Sequence, residues 1–213
     1  MISMDLTRLE EICEEFLKES TETDAAHDLA HIKRVVANAK IILNTEPADT
    51  EIVIASAWLH DCVILPKNHP DRRKASQLAA QKSAEFLSST EFPDHKIDGV
   101  IHAIEAHSFS GGIIPKTIEA KVVQDADRLD ALGAIGIARC FAVGGQLERA
   151  IYNPEDPFCE SRIPNDQKWN VDHFYAKLFK LPDTMNTEGA RNEANSRAEF
   201  MRSYLDQLKS EIQ

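Results

Sequence analysis

The chain has 213 residues with a formal net charge of −11, and hydrophobic residues make up 43% of it. This composition is typical of a water-soluble globular protein, and a single domain over residues 1–213 is expected for this length. The acidic balance argues against binding to nucleic acid or to anionic membranes, because both require a basic surface.

Apolar residues recur at helical spacing through most of the chain. The third predicted helix is apolar on most of its sides, which is typical of a central, buried helix. No hairpin signal separates alternating apolar runs, so the fold class is predicted to be all-α. The predicted helices cover, in chain order, residues 6–17, 29–43, 50–63, 75–88, 95–108, 117–142 and a final stretch after the N-cap candidate Thr187.

Two stretches break the helical pattern. Residues 64–74 are polar, basic and interrupted by proline. Residues 144–170 contain two glycines and three prolines and show almost no periodicity. An irregular stretch of that length is typical of a lid or a binding loop, and the alternative is a surface excursion.

Other features of the sequence indicate the cellular compartment of the protein. No stretch approaches the roughly 18 uninterrupted apolar residues of a membrane span, and the N-terminus has no signal-peptide pattern. The four cysteines are widely spaced and form no Cys-x-x-Cys pair. They are typical of reduced thiols, so we expect a cytoplasmic protein.

The pair His60-Asp61 closes the third predicted helix and forms the centre of a candidate metal site. Burying the Asp61 carboxylate at the end of so apolar a helix would be costly without a cation or an ion partner. His31 lies upstream, and an acidic cluster at residues 124–130 lies downstream, each on its own apolar segment. Two imidazoles and two carboxylates suit Mn, Fe, Co, Ni or Zn better than Ca. Because adjacent ligands can also bridge two ions, one metal and two metals both stay open.

The acidic cluster contains two candidate ligands. Asp127 and Asp130 are three residues apart and would share one face of a regular helix. We expect one of them to bind the metal and the other to hold a ligand histidine or Arg128. His27 and His31 also share a helix face, as in zinc proteases, but Asp28 is a poor substitute for the glutamate base. His27 is therefore interpreted as a phosphate contact or as a group that orients a metal ligand.

The order His31, His60-Asp61, Asp127 resembles the HD-domain phosphohydrolase superfamily, which is named for this set. The similarity covers about residues 20–205 and includes the stretches 27–35, 124–139, 174–177 and 185–191. It implies a single-domain HD-type helical bundle in which His31, His60, Asp61 and Asp127 bind the metal. Within the acidic cluster the resemblance favours Asp127 over Asp130.

The resemblance also implies an activity. The superfamily hydrolyses phosphate ester or anhydride bonds, and this chain is similar to a small bacterial branch thought to act as Mn-dependent nucleotide pyrophosphohydrolases. A nucleoside triphosphate substrate follows as an expectation, and release of pyrophosphate and release of phosphate both stay open. A divalent cation is also expected, with Mn first and Co, Ni, Fe, Mg or Zn as alternatives. A metal-activated water would be the nucleophile.

Hydrolysis of a phosphate bond also needs protein groups that neutralise charge and move protons. Asp61, His107 and Asp130 are the predicted catalytic residues. His107 ends an apolar helix beside a glycine turn, where a proton donor, a further ligand and a helix cap are all compatible with the pattern. The predicted substrate-binding residues are His27, Arg34, Lys67, Arg72 and Lys74; the cations among them are otherwise solvated surface charges.

Two other functions compete with this hypothesis. The chain can be a non-catalytic metal- or nucleotide-binding regulatory module, or a structural helical protein in which His60 and Asp61 form a buried ion pair. In the enzyme hypothesis the partner is a small phosphorylated substrate, most simply a nucleotide, and neither nucleic acid nor membrane. Amphipathic helices at both ends are compatible with a homodimer.

Overall fold

The structure, a computed structural model, describes residues 4–20, 25–65, 69–108 and 111–212, without the side chains of Ser20 and residues 25–28. In this part of the chain there are nine α-helices and no strand, which confirms the all-α prediction. None of these helices is both long and apolar enough to cross a membrane. The helices are α1 (Leu6–Ser20), α2 (Ala25–Leu43), α3 (Thr50–Leu59), α4 (Ala75–Ser88), α5 (Asp94–His107), α6 (Ile118–Leu129), α7 (Gly133–Gln146), α8 (Asp172–Ala176) and α9 (Glu188–Ile212).

The chain forms two compact units, Met1–Asp127 and Arg128–Gln213. In the first unit α3 packs against α1, α2 and α5. Eight of its ten residues are buried, so the prediction of a central helix is correct. The carboxylate of Asp49 begins α3 by accepting hydrogen bonds from the amides of Glu51 (3.0 Å) and Ile52 (3.2 Å).

The end of α3 differs from the prediction. The helix stops at Leu59 and not near Val63, because the amide of Cys62 turns back and donates to the Leu59 carbonyl at 3.1 Å. His60 keeps helical backbone angles as the C-cap, and Asp61 lies in the turn beyond it. The His-Asp pair is therefore carried by a tight turn at the carboxyl end of a buried helix.

The prediction of one continuous helix over 117–142 is wrong, because the chain forms two helices there, α6 and α7, with a break between them. The amide of Leu132 donates to the Leu129 carbonyl at 3.0 Å and closes α6. Gly133 has φ +72°, a left-handed conformation that a residue with a Cβ adopts only with strain. Asp130 lies in this break, so the argument that Asp127 and Asp130 share one helix face does not hold.

In the second unit, α7 runs to Gln146, so the first three residues of the predicted irregular stretch 144–170 are helical. Hydrogen bonds hold the part of the stretch after α7. Arg162 donates to both oxygens of the buried Asp172 carboxylate, at 2.5 and 2.7 Å, and the amide of Asn165 donates to the same group. Asp156 accepts from the amides of Glu160 (2.9 Å) and Ser161 (2.8 Å). These bonds define the stretch locally, and the lid remains a prediction.

Gly144 in α7 provides a test of packing in this unit. A Cβ added there would lie 1.7 Å from Oδ1 of the buried Asn170, whereas a Cβ at Gly145 would meet nothing within 4 Å. Gly144→Ala is expected to lower the free energy of unfolding by about 1–3 kcal/mol because of overpacking. Gly145→Ala should leave it unchanged or raise it by about 0.5–1 kcal/mol, because alanine favours helix. Urea unfolding followed by circular dichroism measures both, and equal stabilities would contradict the packing argument.

Candidate metal centre

The Met1–Asp127 unit brings five side chains of the candidate site together. His31 comes from α2, His60 and Asp61 from the turn after α3, His107 from the last residue of α5, and Asp127 from the last turn of α6. They form two groups that share His60: one with His31 and Asp127, the other with Asp61 and His107. Within each group the possible ligand atoms lie within 4.8 Å of one another.

The distances between these atoms are those of groups that can surround one ion. His31 Nε2 lies 3.4 Å from Asp127 Oδ1, and His60 Nε2 lies 3.7 Å from Asp61 Oδ2. His107 Nε2 lies 3.5 Å from Asp61 Oδ1. Two ligands that bind the same ion at about 2.1 Å lie about 3–3.5 Å apart. Small side-chain adjustments are therefore enough for coordination.

Helix ends orient two of the histidine rings. The Nδ1 atom of His60 lies 2.8 Å from the Ala57 carbonyl, and that of His107 lies 2.6 Å from the Ile104 carbonyl. A carbonyl oxygen only accepts, so both Nδ1 atoms carry the proton and both Nε2 atoms are left with a lone pair when the rings are neutral. Carbonyls in the last turn of a helix lack an intrahelical donor, so they are available for this role.

His60 is the strongest indication of a bound cation. Its side chain is fully buried, and among the described residues its Nε2 has no hydrogen-bond partner. Burial lowers the pKa of the imidazole, against the attraction of Asp61, so the neutral form with a free lone pair is favoured. An unsatisfied buried acceptor costs about 1–3 kcal/mol. A cation at Nε2 removes that cost, so the residues fit a metal.

The two carboxylates supply the charge. Burial alone would raise the pKa of Asp61, but His60 and His107 hold it below its usual range. Burial also opposes ionisation of Asp127, but the hydrogen bond from His31 holds its pKa below the usual value. The Asp61 carboxylate raises the pKa of His107, although burial of that ring acts in the opposite direction. Two ionised carboxylates beside the neutral imidazole of His60 match a divalent cation.

The remaining predicted catalytic residue, Asp130, belongs to neither group of ligand atoms. It is buried in the Arg128–Gln213 unit, where it forms an ion pair with Arg139. Arg128 donates to the Thr184 carbonyl at 2.6 Å.

Two of the predicted substrate cations make local contacts. Arg72 donates to the Leu65 carbonyl at 2.9 Å, and Lys74 pairs with Asp71 at 2.8 Å; Arg72 and Lys74 are both exposed. Arg34 is half-buried on α2, about one turn after His31. The His27 side chain and Lys67 lie outside the described residues.

Sequence reasoning missed two buried polar residues beside the site, Asn38 and Gln124. Asn38 donates to the Ala126 carbonyl and Gln124 to the Ala106 carbonyl. The sequence did carry a signal for Asn38, namely an amide on an otherwise apolar helix face. Asn38 follows Val35 by three residues, so it lies in the buried stripe of α2.

Comparisons with known proteins agree with this geometry. The HD domain family matches residues 28–132. The uncharacterized protein YpgQ of Bacillus subtilis (strain 168) is 35% identical over 196 residues, which cover 90% of this chain and 87% of YpgQ.

Two crystal structures show the same fold. An HD-superfamily hydrolase from Bacillus thuringiensis is 34% identical, with a TM-score of 0.74 and 96% of each chain covered. Bacillus subtilis YpgQ in complex with ADP is 34% identical, with a TM-score of 0.70, and the match covers 95% of this chain and 96% of that one. With this identity over nearly its whole length and the His-Asp cluster in place, the chain belongs to the HD-domain superfamily of metal-dependent phosphohydrolases.

Proposed function

We propose that this phosphohydrolase acts on nucleoside triphosphates and releases pyrophosphate, with a divalent cation held by His31, His60, Asp61 and Asp127. The observation that carries the metal site is the buried Nε2 of His60, which has no hydrogen-bond partner among the described residues and lies within 4.8 Å of the other candidate ligand atoms. The nucleotide is supported by the ADP complex of the relative YpgQ. The family resemblance favours Mn as the ion, and mixed imidazole and carboxylate ligands also suit Co, Ni, Fe or Zn, with Mg as a further alternative.

When bound, the divalent ion supplies a hydroxide nucleophile at neutral pH and offsets the charge of the phosphates. Among the residues of the chain, His107 is the proposed proton donor to the leaving oxygen. Its Nδ1 is tied to the Ile104 carbonyl, so Nε2 is the atom that exchanges a proton, 3.5 Å from Asp61. Asp130 is engaged by Arg139, and the proposed proton transfer does not use it.

Local cations are needed to bind the triphosphate, because the net charge of the chain is −11. Arg34 is the first candidate, since it follows His31 by about one turn of α2 and is half-buried. Lys67, Arg72 and Lys74, in the basic stretch after the His-Asp pair, and His27 are the other proposed phosphate contacts.

A matrix of metals and nucleotides tests this function. Chelator-treated protein receives Mn, Co, Ni, Mg or Zn together with each of the common ribonucleoside and deoxyribonucleoside triphosphates, and the products are separated by chromatography. We expect nucleoside monophosphate and pyrophosphate, fastest with Mn. Inorganic phosphate with nucleoside diphosphate would contradict the proposed bond. Binding of metal and nucleotide by calorimetry without turnover would establish the regulatory module instead.

A further inference from the structure

Two buried amide side chains connect the helices that carry the candidate site. Asn38 on α2 donates through Nδ2 to the Ala126 carbonyl on α6 at 3.0 Å. Gln124 on α6 donates through Nε2 to the Ala106 carbonyl on α5 at 2.7 Å. Each amide residue is only 4% exposed, and all four residues lie in the Met1–Asp127 unit. The two bonds therefore link α2 to α6 and α6 to α5.

The bond between Asn38 and Ala126 connects two helix segments that each carry a proposed ligand. Asn38 follows His31 by about two helical turns, so both side chains leave the same face of α2. Ala126 directly precedes Asp127. The bond fixes the position of the peptide that precedes Asp127 along the axis of α2. At that position His31 Nε2 lies 3.4 Å from Asp127 Oδ1.

The bond between Gln124 and Ala106 positions the end of α5, which carries His107. Gln124 precedes Asp127 by about one turn of α6, and Ala106 directly precedes His107. The Ala106 carbonyl lies in the last turn of α5, where the helix itself supplies no donor. In that turn the Ile104 carbonyl orients the His107 ring, while the Ala106 carbonyl is used by Gln124. Carbonyls at the end of α5 thus orient the His107 ring and connect the helix to α6.

Apolar side chains of similar volume would fill the same space, so core packing alone does not require amides here. A hydrogen bond differs from apolar packing in being directional, and it fixes both the rotation and the height of one helix against another. A ligand set needs this, because its atoms must stay within about 0.5 Å of the productive arrangement. Apolar contacts between helices tolerate larger shifts than that.

We propose that Asn38 and Gln124 are positioning residues of the metal centre: Asn38 sets His31 against Asp127, and Gln124 sets His107 and its helix end against Asp127. This inference rests on the proposed function, since it assumes that these groups surround a cation. It assigns to two amides, which are not among the candidate ligand groups, the task of keeping the ligand atoms together.

The test uses Asn38→Leu and Gln124→Met, which preserve volume and remove the donor. Chelator-treated protein is titrated with Co²⁺, and visible absorption reports both affinity and coordination. We expect each variant to bind Co²⁺ about 10–100-fold more weakly than the wild type, with a changed spectrum. In the metal-free Gln124→Met protein, the imidazole ¹H–¹⁵N signals of His107 should also shift.

Val100→Ala is the matched control, because Val100 is buried in the same helix as His107 and makes only packing contacts there. It should lower the melting temperature of the metal-free protein while leaving Co²⁺ affinity within about twofold of the wild type. Should Asn38→Leu or Gln124→Met fail to fold, Asn38→Ser and Gln124→Asn keep a polar group too short to reach the carbonyl, and the same loss of affinity is expected.

Wild-type Co²⁺ affinity and spectrum in the folded amide variants would overturn the positioning role, and so would an equal loss of affinity in Val100→Ala. A wild-type protein that binds no Co²⁺ would instead refute the metal site itself. The two failures are therefore distinguished in one titration series.

Discussion

Asp61→Ala is expected to lose its metal and its hydrolytic activity while remaining folded. The two Asp61 carboxylate oxygens face His60 and His107 at 3.7 and 3.5 Å, so the substitution removes a charged group from the centre of the cluster. The Asp61 side chain is 41% exposed, so its removal opens no core cavity. We expect kcat/KM to fall by more than about 10³-fold, as when a group on which the chemistry depends is removed.

Elemental analysis of protein purified without chelator measures the metal, and circular dichroism checks the fold. Asp98→Ala is the control, because it removes an exposed carboxylate from α5 in the same unit. It should keep the metal content and activity of the wild type. An Asp61→Ala protein that retained metal and hydrolysed its substrate would contradict the assigned site.

The second large effect is on stability. Arg162→Ala is expected to lower the free energy of unfolding by about 3 kcal/mol, because it leaves the fully buried Asp172 carboxylate without its cation. Without Arg162, the amide of Asn165, at 2.5 Å, and the Cys159 thiol remain as hydrogen-bond donors to the Asp172 oxygens, and neither carries a charge. Urea unfolding at neutral pH measures the loss.

This loss should depend on pH. Burial raises the pKa of Asp172, but the hydrogen bonds from Arg162 hold it below its usual value. A carboxyl with a depressed folded pKa stabilises the protein above its unfolded pKa of about 3.9, and that contribution disappears as the pH falls through the folded value. The difference between wild type and Arg162→Ala should therefore be largest near neutral pH and shrink below about pH 4.

Lys209→Ala is the matched control for this ion pair. It removes a cation that pairs with Glu160 at 2.6 Å, with both side chains exposed. An exposed pair contributes about 0–1 kcal/mol, so little change is expected. Equal losses in the two variants, or a loss in Arg162→Ala that does not vary with pH, would show that the buried pair does not carry the stability of the 144–170 stretch.

Much of the fold was predictable because helical periodicity is a local property. The segment 75–88 agrees with α4 at both ends, and 95–108 agrees with α5 within one residue. The helix ends that were predicted wrongly are set by backbone turns. Cys62 closes α3 early, and Gly133 separates α6 from α7. Neither turn changes the apolar pattern, so the pattern did not reveal them.

The candidate ligands were also accessible from residue types alone. A histidine and a His-Asp pair on apolar segments, followed by an aspartate, need a cation wherever they meet, because buried charge is costly without one. The same reasoning was uncertain for Asp130, whose role depends on what lies opposite it. Its partner is Arg139, on a helix that the sequence had joined to α6.

By itself, then, the sequence determined the helical class and the family resemblance, because periodicity and motif order follow from residue types and spacing. That resemblance makes His31, His60, Asp61 and Asp127 the proposed ligands. Only the tertiary structure decided that His107 faces Asp61, that Nε2 of His60 has no hydrogen-bond partner in the part of the chain that the structure describes, and that Asn38 and Gln124 link the helices. These are relations between segments far apart in the chain, and hydrogen-bond direction and burial exist only once the helices pack.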